Sequence, residues 1–135
     1  MNTKEKVNQL FANLRKKHGF VARQNFMCCS SCAAYEIAIN PRNYGRLYAF
    51  YNRQSNDAWE LGRRDRKPTG RLKDTLYIQF GLVQGADNEE IERMKVVQAG
   101  RTIVEEAEAL GLQVKWNGTA EQAIGILPEP MPVAA

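Results

Sequence analysis

Thr75-Leu76-Tyr77-Ile78-Gln79-Phe80-Gly81-Leu82-Val83 alternates in character with period two, and its reading decides the fold. Leu76, Ile78, Phe80 and Leu82 share one face of an extended chain while Tyr77 and Gln79 take the other, as in a strand covered on one side. Asp87 followed by Glu90 is a capping box, and from it a helical period runs to about Leu110, with Gly111 in the C′ position. Its apolar stripe is Met94 or Val96, Ala99, Ile103, Ala107 and Leu110, joined by Val97 and Val104, with Glu105, Glu106 and Glu108 outward. Gly100 in mid-helix costs ~1 kcal/mol against alanine, so its expected use is close packing against a sheet.

Further strands lie on both sides. Leu112, Val114 and Trp116 alternate with Gln113 and Lys115, Asn117-Gly118 supplies a turn, and Ala123 to Leu127 returns as a hairpin. Pro128 to Ala135 reads as a flexible C-terminal tail, outside a single domain of residues 1–127. Upstream, Leu47-Tyr48-Ala49-Phe50-Tyr51 is almost continuously apolar, so both faces of a central strand are covered. Between these strands Asp57 to Leu61 reads as a turn of helix, and Arg63 to Arg71 as an exposed loop. At the start of the chain Thr3 caps a helix carrying Val7, Leu10, Phe11 and Leu14, which Gly19 stops. An extended segment, Phe20 to Phe26, leads into a short helix from about Cys29 to Ile39 that Pro41 ends, and Asn43-Tyr44-Gly45 turns the chain.

The resulting order favours an α+β fold, a mostly antiparallel sheet of four to five strands with two or three helices packed on it. No G-x-G-x-x-G, Walker loop, G-x-S-x-G or H-E-x-x-H occurs, which argues against a doubly wound nucleotide fold and against an enzyme. Charged residues at 25% and apolar residues at 44% match an ordinary globular composition rather than a disordered one. Apolar runs are far shorter than the ~20 residues of a membrane span, and the expected location is cytoplasmic. In that compartment thiols stay reduced, and structural disulfides are not expected.

Every cysteine falls in Gln24-Asn25-Phe26-Met27-Cys28-Cys29-Ser30-Ser31-Cys32. Burial as small apolar side chains leads among the readings, with Gln24 and Asn25 satisfying backbone groups at a buried crossing. A metal reading takes Cys29 and Cys32 as a C-x-x-C pair, Cys28 as a third thiolate and His18 as a fourth ligand, a set suited to tetrahedral zinc. Adjacent Cys28 and Cys29 would reach one ion only with strain. A redox reading places Cys28 or Cys29 at a helix N-terminus, where amides lower a thiol's pKa, but the sequence lacks a convincing strand, C-x-x-C, helix, strand context.

With the block from Ala22 to Cys32 and with Val114-Lys115-Trp116-Asn117-Gly118, the chain resembles a bacterial domain family of unknown function. That family is built around Gln-Asn-Phe-x-Cys-Cys-x-x-Cys, a central aromatic strand, a long helix and a late Trp-x-Gly turn. The likeness covers about residues 7–127, does not extend to His18, and implies a fold more than an activity.

Charge is divided along the chain. Residues 1–86 carry fifteen Lys and Arg against six acids, and residues 87–135 carry four against nine. Either an anionic partner or attraction between the two halves accounts for such a split. Arg63, Arg64, Arg66, Lys67, Arg71 and Lys73 form the densest basic cluster, a candidate surface for a macromolecular partner. Nucleic acid is one candidate, with Tyr44, Tyr48, Tyr51 or Trp59 to stack on bases, but no recognition motif accompanies the charge. The leading expectation is therefore a small regulatory or inhibitory protein that binds a protein partner with an acidic surface and needs no cofactor. Its alternative is a thiol-dependent module, zinc-stabilised or redox-active, that uses Cys28, Cys29 and Cys32.

Overall fold

A computed structural model describes residues 1–129, so Pro130 to Ala135 of the expected tail lie outside the described residues. Helix α1 spans Thr3–His18, and its cap is Asn2 rather than Thr3. The Asn2 side chain accepts the Glu5 N–H at 2.8 Å and Glu5 accepts the Asn2 N–H at 3.1 Å, a reciprocal pair that a threonine one residue later cannot make. Gly19, at φ 68°, closes the helix in the left-handed region.

Strand β1 (Val21–Arg23) leads through the cysteine segment to α2 (Ser30–Ile39), then to β2 (Leu47–Phe50). A short helix α3 (Arg53–Asn56) and a two-stranded ribbon of β3 (Trp59–Leu61) and β4 (Pro68–Leu72) follow. The ribbon corrects two expectations, because Asp57 to Leu61 is mostly strand and Pro68 to Arg71 lies in its partner instead of a loop. Asn52 draws the helical turn earlier by accepting the Ser55 N–H at 2.9 Å. Pro68 is tolerated because it opens a strand that pairs on one side only.

Strand β5 (Leu76–Leu82), helix α4 (Glu89–Ala109), and strands β6 (Val114–Lys115) and β7 (Ile124–Ile126) complete the chain. The main sheet has the order β1-β2-β5-β7-β6, antiparallel except for the parallel β1–β2 pair. This is the α+β class expected, with one parallel pairing and the extra ribbon added. Helix α4 is capped by Asn88, which accepts the Ile91 N–H at 2.9 Å, and not by Asp87. Its buried residues are Val96, Ala99, Gly100, Ile103 and Ala107, while Met94 is exposed.

Alternation along the strands gives two cores. Leu76, Ile78 and Phe80 of β5 and Ile124 and Ile126 of β7 face α1 and α4, together with Val7, Leu10, Phe11, Leu14, Ala99 and Ile103. Gly100 does what its position implied, since a Cβ there would lie 2.5 Å from the Trp116 ring and 3.2 Å from Phe80. The opposite face has its own smaller core beside β1 and β2, where Val21, Phe50 and Val83 meet Ala33 and Ile37 of α2. Charge attraction between the halves is concrete at two places: Glu106 of α4 receives His18 Nε2 at 3.0 Å and lies 3.9 Å from Lys17 Nζ, and Arg71 Nε lies 3.4 Å from Glu129.

Candidate metal centre

The chain between β1 and α2 is held in place from β2. Phe26 N–H donates to the Tyr51 carbonyl at 2.9 Å, and Arg53 N–H donates to the Met27 carbonyl at 3.0 Å. Within this anchored bend Asn25 and Met27 both have positive φ, 50° and 63°. Such values are uncommon for a side chain as large as methionine, so the surrounding bonds impose the turn. The turn delivers Cys28 to the surface and leaves Cys29 extended, at φ −150°, as the residue preceding the first turn of α2. Buried Asn52 secures that helix end, its Nδ2 donating to Ser30 Oγ at 2.9 Å while its Oδ1 caps α3.

The thiols are consequently together and open. Cys28 is exposed, Cys29 and Cys32 are half-buried, and all three sulfurs lie within 4.8 Å of one another. The expectation that they plug the core is overturned: Ala33 and Ile37 fill that role, and the stripe of Cys28, Cys32, Tyr35 and Ile39 faces away from the sheet. Adjacent cysteines also meet without difficulty. Cys28 Sγ lies 3.9 Å from Cys29 Sγ and 3.6 Å from Cys32 Sγ. A tetrahedron with metal–sulfur bonds of 2.3 Å has sulfur–sulfur edges of about 3.8 Å, which these two separations match, and the third edge, Cys29 to Cys32, lies within 4.8 Å.

The three sulfurs are electrostatically distinct. Cys29 is pulled below the ordinary thiol value, first by the Cys32 backbone N–H, then by the Cys32 and Cys28 thiols. Cys32 is pushed up to about 11, first by its hydrogen bond to Cys29 and then by Cys28. An amide of the first helical turn that favours negative charge on the residue before it follows from the unpaired N–H groups at helix starts. The context of strand, C-x-x-C, helix and parallel strand, which the sequence did not reveal, is present as β1, Cys29 to Cys32, α2 and β2.

His18 lies apart from this group. Its Nε2 is engaged by Glu106, and the three clustered ligand atoms are all sulfur. Nor do Gln24 and Asn25 satisfy backbone groups at a buried crossing. Gln24 Oε1 accepts from the side chains of Lys4 and Tyr51, both at 3.1 Å, and Asn25 is exposed.

The basic residues divide into two sets. Arg63, Arg64, Arg66 and Lys67 are exposed in the connection between β3 and β4, where Asp65 Oδ1 accepts the Lys67 backbone N–H at 3.0 Å. Arg71, on β4, is tied to Glu129 at 3.4 Å and Glu60 at 3.9 Å, and Lys73 is exposed beyond the strand. Among the described residues no helix is long and apolar enough to cross a membrane.

A family model described as Domain of unknown function (DUF6891) matches residues 2–130, and the chain belongs to that family. No curated protein and no solved structure matches it.

Proposed function

We propose that the protein is a binding module for a thiophilic cation, with Cys28, Cys29 and Cys32 as ligands and Zn²⁺ as the first candidate. The observation that carries this is the sulfur triangle itself, with all three Sγ atoms within 4.8 Å at an open surface. Three protein ligands leave a fourth tetrahedral position for water or an outside donor, the arrangement of sites that exchange or use their metal rather than lock it away. Deprotonation accompanies binding, so uptake weakens as pH falls. Asn52, through Ser30, holds the helix end from which two of the ligands project, as groups behind a metal's ligands commonly do.

Native mass spectrometry of the reduced, metal-free full chain titrated with Zn²⁺ tests the reading. One Zn²⁺ per chain is expected, lost when Cys28, Cys29 and Cys32 are all replaced by serine. Failure to retain metal, together with selective alkylation of Cys29 and ready formation of a Cys29–Cys32 disulfide, would replace it with a dithiol redox couple.

A second reading concerns the tip of the β3–β4 ribbon. Arg63, Arg64, Arg66 and Lys67 are exposed and have no ion pair among the described residues, which supports a surface for an acidic protein partner. Changing these four residues to glutamate should abolish capture of such a partner in crosslinking, and unchanged capture rejects the surface. Neither reading involves turnover of a substrate.

A further inference from the structure

Between the first turn of α1, the segment after β1 and the β3–β4 ribbon lies a cavity of about 310 Å³, lined among others by Lys4, Gln24, Tyr51, Trp59, Leu61 and Pro68. Its size is at the lower end of small-molecule sites, which combine apolar walls with a few placed polar groups. Among the described residues no carboxylate lines it. Lys4 is half-buried there, with Nζ donating to the Tyr51 hydroxyl at 2.9 Å and to Gln24 Oε1 at 3.1 Å. The same nitrogen lies 4.9 Å from the centroid of the Trp59 ring. An ammonium has three protons, so these two bonds leave one to give. Among the described residues it has no ionic partner.

A second group is incomplete beside it. Trp59 is 5% exposed, and its buried Nε1–H finds no acceptor among the described residues. The indole approaches Tyr51 closely enough to oppose the rise of the phenol, which burial pushes up to about 12, but without hydrogen-bond geometry. Lys4 is shifted downward by the same burial, as expected of a cation removed from water without a counter-ion. A buried donor without a partner is uncommon, and this one belongs to a residue that lines the same cavity as Lys4, whose remaining ammonium proton suits an anionic acceptor. Leu61 and Pro68 face each other across the ribbon and offer that acceptor an apolar wall. Beyond them the connection carries Arg63, Arg64, Arg66 and Lys67, whose field draws anions toward the opening.

We propose that this cavity binds a small organic carboxylate, with the anionic end on Lys4 and the apolar body against Trp59, Leu61 and Pro68. The site is independent of the thiols and stands whether or not they take up a metal. Benzoate is the probe, benzamide its neutral counterpart and inorganic phosphate an anion without an apolar body. Each is titrated into the full chain while the Trp59 indole N–H resonance, assigned with Trp59→Phe, is followed by NMR. Benzoate should shift that resonance saturably, and benzamide should bind about tenfold or more weakly, the worth of a hydrogen bond to a charged group. Lys4→Gln should remove the preference. Gln24→Glu should do so without losing the amine, because it supplies an internal carboxylate where Gln24 now meets Lys4. Equal binding of benzoate and benzamide, effective competition by phosphate, absence of a saturable shift, or undiminished benzoate affinity in Gln24→Glu would each overturn the proposal.

Discussion

Under α1 and α4 the sheet buries Val7, Leu10, Phe11, Leu14, Ile78 and Ile103 completely, whereas α2 on the other face contributes only Ala33 and Ile37. Two left-handed residues precede α2, and three thiols, Tyr35 and Ile39 lie at or near its surface. One sheet thus carries a face filled for stability and a face whose covering helix keeps chemically able side chains outside. Two positive-φ residues beside three accessible thiols mark a segment shaped by something other than packing.

The largest test of that contrast sets Ile103→Ala against the triple replacement of Cys28, Cys29 and Cys32 by serine. Ile103 is fully buried, and its truncation should cost about 2–5 kcal/mol in urea unfolding. The triple variant, in reductant and without metal, should stay within about 0.5 kcal/mol of the parent, as surface changes do. A comparable loss would put the sulfurs back into the core and erase the distinction. Zn²⁺ sharpens it from the other direction. At about 100 times its Kd the ion should stabilise the parent by about 2.7 kcal/mol and leave the serine variant unchanged.

A smaller effect is expected at Gly100, where the filled face comes closest to its limit. A methyl group would lie 2.5 Å from Trp116 Cζ2, so overpacking of about 1–3 kcal/mol should outweigh the ~1 kcal/mol helix gain of alanine. A Gly100→Ala variant with a raised urea midpoint would show that Trp116 yields. The smallest change belongs to Glu106. Its carboxyl is held below the usual range, first by the hydrogen bond from His18, with Lys17 adding attraction. A depressed carboxylate stabilises the fold above its unfolded pKa of about 4.3, and the contribution fades as pH falls through the lower folded value. Melting temperatures of the parent and Glu106→Gln should therefore differ at neutral pH and converge in acid.

Helix α4 and strand β5 were legible because each carries one clear period, and Gly100 was legible because nothing but proximity explains glycine there. Helix α2 was not. Cys28, Cys32, Tyr35 and Ile39 form one apolar stripe, Ala33 and Ile37 another, and periodicity alone cannot choose which faces the sheet. General burial preferences pointed to the cysteines, whereas it is Ala33 and Ile37 that meet Val21, Phe50 and Val83. Strand β4 was hidden by Pro68 and Gly70, which signal loops in most contexts; here Gly70, at φ 88°, lies against the Asn2 side chain. The cavity residues carried no local signal. Lys4 and Tyr51 are 47 positions apart, and of the lining residues only Gln24 and Asn25 stood within the cysteine segment already singled out.

Strand β7 occupies an interior place in the sheet although it follows every other strand in the chain. During synthesis on the ribosome β5 therefore waits for a neighbour that emerges about 40 residues later, a delay of seconds at ordinary elongation rates. Until Ile124 to Ile126 arrive, one border of β5 is an open template. The nascent chain is most exposed to mispairing with another copy in that interval, and a helper that shields unfinished strands would act on it there.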